Sequence, residues 1–156
     1  MQQSYSEMVE ANLHRLKAIA RSYADHQSRE DLLQEMLYQL WKSFESFEGT
    51  SQLDTWVYRV ALNTAINFIR GRYNNPSLVA GEEPVEPHHN GDLDASMDIL
   101  EQFLHGLDTI DRAILLLYLD DIPHRQISEV IGKSVNVISV RINRMQNRFR
   151  QQHVDD

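Results

Sequence analysis

Cysteine is absent from the 156-residue chain, which excludes a disulfide scaffold, a thiol nucleophile and a cysteine-ligated zinc site. No apolar run approaches the roughly 20 residues that a bilayer-spanning helix requires. The segment from Met1 to Glu10 is polar and lacks the pattern of a signal peptide. A cytoplasmic globular protein is therefore expected, and a hydrophobic content of 42% suffices for a core in one ordinary domain or two small ones. Sustained strand alternation is missing too, so the expected class is all-α. Proline is scarce, and three of the four (Pro76, Pro84, Pro87) fall in one short stretch.

Positive charge is also in short supply: 15 Lys and Arg stand against 23 Asp and Glu, a formal net charge of -8. As a total this counts against a nucleic-acid partner, because phosphate binding is driven by Lys and Arg. The distribution changes the conclusion. Residues 1–75 carry 8 basic and 9 acidic side chains, and residues 99–156 carry 7 and 8. Residues 76–98 carry no base and six acids: Glu82, Glu83, Glu86, Asp92, Asp94 and Asp98. This proline-bearing, nearly aperiodic stretch has the composition of a flexible acidic linker between two small helical domains. The expected organisation is domain 1–75, linker 76–96 and domain 97–156. Within the domains, Arg125 to Arg150 holds six bases against Glu129, and Arg59 to Arg72 holds three against none.

In the first domain Tyr5, Met8, Val9, Leu13, Leu16, Ala20 and Tyr23 recur at three- and four-residue steps. Ser28-Arg29-Glu30-Asp31 has the form of a capping box. The helix after it is expected to carry Leu32, Leu33, Met36, Leu37, Leu40, Trp41 and Phe44 down one face. A loop around Gly49 leads to a second box, Ser51-Gln52-Leu53-Asp54, and a third helix. At 100° per residue its apolar arc is Leu53, Val57, Val60, Ala61, Thr64 and Phe68; Arg59, Asn63, Ile66 and Arg70 lie within about 60° of one another on a different face.

In the second domain Met97, Leu100, Leu104 and Leu107 mark a short helix ending near Gly106, and Asp108 is placed to cap a helix running to Leu119. Pro123 suits the first turn of another, Gly132 makes a turn, and a last helix is expected from about Val135 to Arg150. Two helices joined by a short glycine-containing turn form a helix-turn-helix. On the last helix Ile138, Ile142, Met145 and Phe149 form the packing stripe. Asn136, Ser139, Val140, Asn143 and Asn147 lie opposite, with Arg141, Arg144 and Arg148 along one flank. Amides and a hydroxyl suit base edges, and guanidiniums suit phosphates. An exposed basic helix without a ligand would show the same stripe.

The second helix of the chain presents Asp31, Gln34, Glu35 and Tyr38 outward at i, i+3, i+4 and i+7. Such carboxylates could bind metal, act as an acid/base pair, dock on a basic surface or simply be solvated, and no histidine or further carboxylate completes a ligand set at matching spacing.

The residues themselves narrow the choice. Arg29 through Trp41, then Phe47, Leu53 through Thr64, and Arg70 resemble region 2 of the bacterial sigma-70 family. Leu107 through Arg112, Ile127, and Ile131 through Arg144 resemble region 4. Their order, and the lack of regions 1 and 3, is similar to the extracytoplasmic function (ECF) subgroup. The resemblance implies that Asp31, Gln34, Glu35 and Tyr38 meet the β′ clamp helices of core RNA polymerase. It further implies that Arg59, Asn63 and Arg70, with the loop from Phe47 to Gln52, capture melted -10 promoter DNA, Asn63 contacting an unstacked base; Trp56 stands at the edge of that seam, either as part of it or as a core aromatic. The last helix would read -35 duplex DNA through Asn136, Ser139, Val140, Arg141, Asn143, Arg144 and Arg148, and the second domain would contact the polymerase β flap. An anti-sigma factor is implied as a further partner; no cofactor, metal or membrane insertion is. The linker is similar to the segment that passes through the polymerase active-site channel, beside the plainer reading of a solvating spacer.

Departures from the family pattern are visible. Val137-Ile138-Ser139-Val140 stands where Thr-Val-Lys-Ser is frequent, Gln146 replaces a common base, and Asp108 a common proline. The missing lysine predicts weak, salt-sensitive duplex binding by the second domain alone. A stand-alone helix-turn-helix regulator is the alternative function. A metal-dependent hydrolase built on Glu30, Asp31 and Glu35 lacks supporting ligands, since His88, His89, His105, His124 and His153 are scattered or lie in the linker.

Overall fold

The computed structural model describes residues 4–47, 52–73 and 95–153, and the regular structure among them is helical throughout. The chain divides into two compact units, Met1–Glu82 and Glu83–Asp156. The first contains α1 (Tyr5–Tyr23), α2 (Arg29–Phe44) and α3 (Leu53–Tyr73); the second contains α4 (Ala95–His105), α5 (Thr109–Leu119), α6 (His124–Ile131) and α7 (Val135–His153). Most of the expected linker, residues 76–94, lies outside the described residues. Helix α4 begins at Ala95, two residues before the expected start of the second domain.

In the first unit every helix packs on the other two. Met8, Leu16 and Ile19 of α1, Leu32, Met36 and Leu40 of α2, and Val57, Ala61 and Ala65 of α3 are fully buried. Each large side chain so buried contributes about 1.5–3 kcal/mol. The buried arc of α3 is wider than its periodicity predicts: Tyr58, Leu62 and Ala65 are buried, whereas Leu53, Val60 and Phe68 are only partly covered. The reason is that α3 faces two neighbours rather than one. A polar pin joins α1 to α3. Buried Asn12 donates to the Met8 carbonyl (2.8 Å) and accepts from Arg15 (2.9 Å). The Arg15 guanidinium then meets Asp54 at 2.9 Å and lies over the Tyr58 ring. Tyr5 ties α1 to α2 by donating to the Leu37 carbonyl at 2.7 Å, and burial pushes its phenol above its ordinary value.

Two sequence expectations fail in α2. Ser28 has helical dihedrals (φ -102°, ψ -6°) and its side chain makes no cap bond, because a capping hydroxyl requires extended backbone. The Asp25 carboxylate accepts from the Ser28 amide instead (2.9 Å), three residues upstream. Trp41, expected on the core face, is 60% exposed. It lies about 100° around the helix from Leu40 and only about 20° from Gln34. The second expected box begins at Ser51, which, like Gly49, lies outside the described residues.

In the second unit α5 packs on α4, α6 and α7. Asp108 caps it as expected, accepting from the Asp111 amide at 2.8 Å. Buried Arg112 projects from α5 onto the C-terminal end of α4, donating to the carbonyls of Leu104 (2.9 Å), Leu107 (2.9 Å) and His105 (3.4 Å). A fixed cation there satisfies carbonyls that have no partner within their own helix and complements the helix dipole. Gly132 ends α6 at φ 82°, a left-handed conformation that glycine adopts without strain. Ser134 then accepts from the Val137 amide (3.2 Å) to start α7. The helix-turn-helix is formed as expected.

Candidate functional site

The packing stripe of α7 is in place: Ile138, Ile142 and Met145 are buried and Phe149 half-buried, its ring edge-on to Phe103. The remaining positions separate into held and unengaged side chains. Ser139 is half-buried and shares a 3.0 Å hydrogen bond with His124 Nδ1 across the turn. Gln146 donates to the Tyr118 hydroxyl (2.8 Å). Arg141 is held in a 2.8 Å ion pair by Asp111 of α5, and Arg148 lies over the Phe103 ring at 6.0 Å. Asn136, Val140, Asn143 and Arg144 are exposed, and among the described residues neither amide side chain nor the Arg144 guanidinium is engaged. Helix α7 contains no acid. Packing therefore fixes its orientation through the flanks and leaves a polar and apolar central strip outward.

On α2 the Asp31, Gln34, Glu35 and Tyr38 side chains are all exposed, Tyr38 at 51%. Trp41 extends this strip by one turn, although hydrophobic patterning alone places it in the core. The helical-wheel angle between Trp41 and Gln34 is the signal that would have found it. Lys42 lies over the Tyr38 ring at 5.9 Å, and Gln39 donates to Glu35 at 3.1 Å. The surface combines two carboxylates with two large aromatic faces, a composition suited to a basic partner rather than to a metal. Among the described residues no group of three or more His, Asp or Glu could hold an ion, and no helix is long and apolar enough to cross a membrane.

On α3 Asn63 is exposed and Arg59 and Arg70 are half-exposed. An open groove of about 440 Å³ runs between α2 and α3, lined by Glu35 and Gln39 on one side and by Val60, Asn63, Asn67 and Phe68 on the other. Glu35 of the carboxylate strip and Asn63 of the expected single-strand seam therefore border one cleft. Trp56 lies in an aromatic cluster, 5.1 Å from Phe47 and 6.2 Å from Phe44, with Tyr5 edge-on to Phe44. It is half-buried, so one ring serves the cluster and still borders the seam.

Known proteins similar to the chain share its helical fold and part of its sequence. The sigma-70 region 2 family model matches residues 8–74. The ECF RNA polymerase sigma factor SigG of Mycobacterium tuberculosis is 47% identical over 47 residues, a match that takes in 30% of this chain and 13% of that protein. The ECF RNA polymerase sigma-E factor of Haemophilus influenzae is 24% identical over 156 residues, covering 90% of this chain and 82% of its own length. Among solved structures, the sigma factor RpoE of Bartonella quintana, in complex with the anti-sigma factor NepR, superposes with a TM-score of 0.75 at 23% identity. That superposition covers 97% of this chain and 98% of the other.

Proposed function

We propose that this chain is a member of the sigma-70 family, in its extracytoplasmic function subgroup, that binds core RNA polymerase and directs promoter-specific initiation. It does so by recognising -10 and -35 elements and assisting promoter melting. The observation that carries this reading is the exposed strip of Asp31, Gln34, Glu35, Tyr38 and Trp41 on α2, inside the segment matched to region 2. That strip is the docking surface for the β′ clamp helices. Its carboxylates supply orientation and on-rate, and its aromatic rings supply desolvated contact area.

On the next helix Arg59 and Arg70 attract the phosphates of a melted -10 strand, Trp56 offers a ring face and Asn63 hydrogen-bonds an unstacked base. In the second unit α7 enters the major groove of the -35 duplex through Asn136, Ser139, Val140, Asn143 and Arg144, while Arg141 and Arg148 border its flank. The same unit contacts the β flap. An anti-sigma factor holds the protein inactive by covering one or more of these surfaces. The factor works in the cytoplasm and carries out no catalytic chemistry of its own.

The test is a bubble template bearing the protein's own promoter, incubated with core polymerase in the presence and absence of the chain. Initiation above core alone is expected, and no increase would overturn the reading. Replacing Asp31 and Glu35 together by Arg is expected to abolish core binding. Trp41→Ala is expected to weaken it by about 2 kcal/mol, roughly thirtyfold, as loss of a central aromatic anchor does. Tight specific duplex binding by the free protein, seen in a gel shift without polymerase, would favour the stand-alone regulator instead.

A further inference from the structure

The first turns of α3 are held from the side opposite to the expected single-strand seam. With Asp54 as origin and 100° per residue, Tyr58 lies at about 40°, whereas Arg59, Asn63, Arg70 and Trp56 fall between about 140° and about 200°. Arg15 of α1 grips the first pair. Its guanidinium meets the Asp54 carboxylate at 2.9 Å and stands 5.4 Å from the centre of the Tyr58 ring. Arg15 is itself fixed: its side chain is 17% exposed, and it donates at 2.9 Å to buried Asn12, whose amide donates to the Met8 carbonyl at 2.8 Å. A continuous polar chain therefore runs from the backbone of α1 to the start of α3. The Asp54 side chain is 50% exposed, so the ion pair adds little to global stability. What it sets is geometry, because a planar guanidinium holds its partners in a fixed arrangement. Across the helix Trp56 rests on Phe47 and Phe44, so α3 is held on both sides at its start.

We propose that Arg15 is a positioning residue for promoter opening: through Asp54 and Tyr58 it fixes the rotation of α3 about its own axis, and so the direction in which Trp56, Arg59, Asn63 and Arg70 face a melted strand. The proposal rests on the reading of the chain as an initiation factor. Arg15 acts through α3 and needs no contact with DNA or polymerase. A binding constellation has to be held within about 0.5 Å and about 10–20° of its productive geometry, and a roll of α3 displaces all four side chains together. Release of the grip therefore weakens strand capture, while the strip on α2, a different helix, continues to bind core polymerase.

Holoenzyme assembled from the full chain and core polymerase is titrated, by fluorescence anisotropy, with a fork-junction DNA in which the protein's own -10 element is single-stranded. Arg15→Met is expected to weaken this binding about tenfold and to leave the affinity of the chain for core polymerase unchanged. Asp54→Ala cuts the same tie at its exposed end, away from the core of α1, and is expected to bring a similar loss. Asp54→Asn keeps an oxygen that accepts from Arg15 and is expected to bind as the unaltered chain does. Trp41 and Trp56 are the two tryptophans of the chain. In free Trp41→Phe protein, where emission comes from Trp56 alone, adding Arg15→Met is expected to shift that emission to the red, which lowered stability does not do while the protein stays folded. Unchanged fork binding in both Arg15→Met and Asp54→Ala overturns the proposal, as does an unshifted Trp56 emission. Tighter fork binding by Asp54→Ala overturns it too, since Arg15 would then act by neutralising a carboxylate near DNA, and so does an equal loss of core and fork binding. Fork binding by the unaltered holoenzyme no stronger than by core alone overturns the initiation-factor reading itself, and the proposal with it.

Discussion

Arg112 and Arg141 show how one residue type serves two unlike purposes within a single small unit. Arg112 is buried against three carbonyls at the end of α4, so its charge is consumed inside the fold. Arg112→Met keeps the apolar stem and removes the donor from the Leu107 and His105 carbonyls, while the Leu104 carbonyl keeps the Leu107 amide at 3.2 Å; the second unit is expected to lose about 3 kcal/mol, since hydrogen bonds to charged donors contribute about 1.5–3 kcal/mol. Arg112→Lys should recover only part of this, because an ammonium cannot span the carbonyls as a planar fork does. Urea unfolding of the full chain, followed by circular dichroism, measures both. A loss below about 0.5 kcal/mol for Met would mean that water replaces the guanidinium. Arg141 sits on the helix that faces outward, yet Asp111 holds it at 2.8 Å. Composition counts both arginines as equally available to DNA, and only packing separates them from unengaged Arg144.

The turn between α6 and α7 depends on a backbone conformation rather than on contacts. A Cβ added at Gly132 would meet nothing within 4 Å, so the cost of Gly132→Ala is purely that of holding an L-residue at φ 82°. That cost is about 1–2 kcal/mol, and Gly132→Asn should cost less, as Asn tolerates the left-handed region. The expected result is a corresponding fall in the unfolding free energy of the Ala variant; a neutral Ala would show that the turn relaxes without penalty. This turn is legible in the amino-acid sequence, as are the helix-turn-helix, the packing stripe of α7 and the Asp108 cap, because glycine, spacing and short polar side chains act locally. Other features are not legible there, for reasons of packing. The buried arc of α3 is broader than its periodicity because two helices cover it, and the Ser28 cap gives way to Asp25 because Ser28 already has helical dihedrals. Hydrophobicity alone places Trp41 inward, although its angular position sets it beside Gln34. The held state of Ser139 depends on His124, fifteen residues away, which no periodicity reveals.

The net charge of -8 and the proposed affinity for DNA are reconciled by segregation of charge along the chain. Six acids lie in residues 76–98, whereas α7 carries four arginines and no acid. At physiological ionic strength charges separated by more than about 8 Å are largely screened, whereas at 0.01 M the screening length is about 30 Å. A tether that acts only through its long-range field should therefore oppose DNA binding at low salt and be invisible at high salt. Replacing Glu82, Glu83, Glu86, Asp92, Asp94 and Asp98 by Ser or Gln moves the net charge from -8 to -2. The expected outcome is tighter duplex binding by holoenzyme near 0.01 M salt and no change above about 0.3 M, read by fluorescence anisotropy across a salt series. A gain persisting at high salt would require the acids to sit directly on a basic surface that DNA also occupies. A difference of that kind would make the segment a competitor for nucleic acid rather than a solvated spacer, and promoter escape by the neutralised variant would then change along with binding.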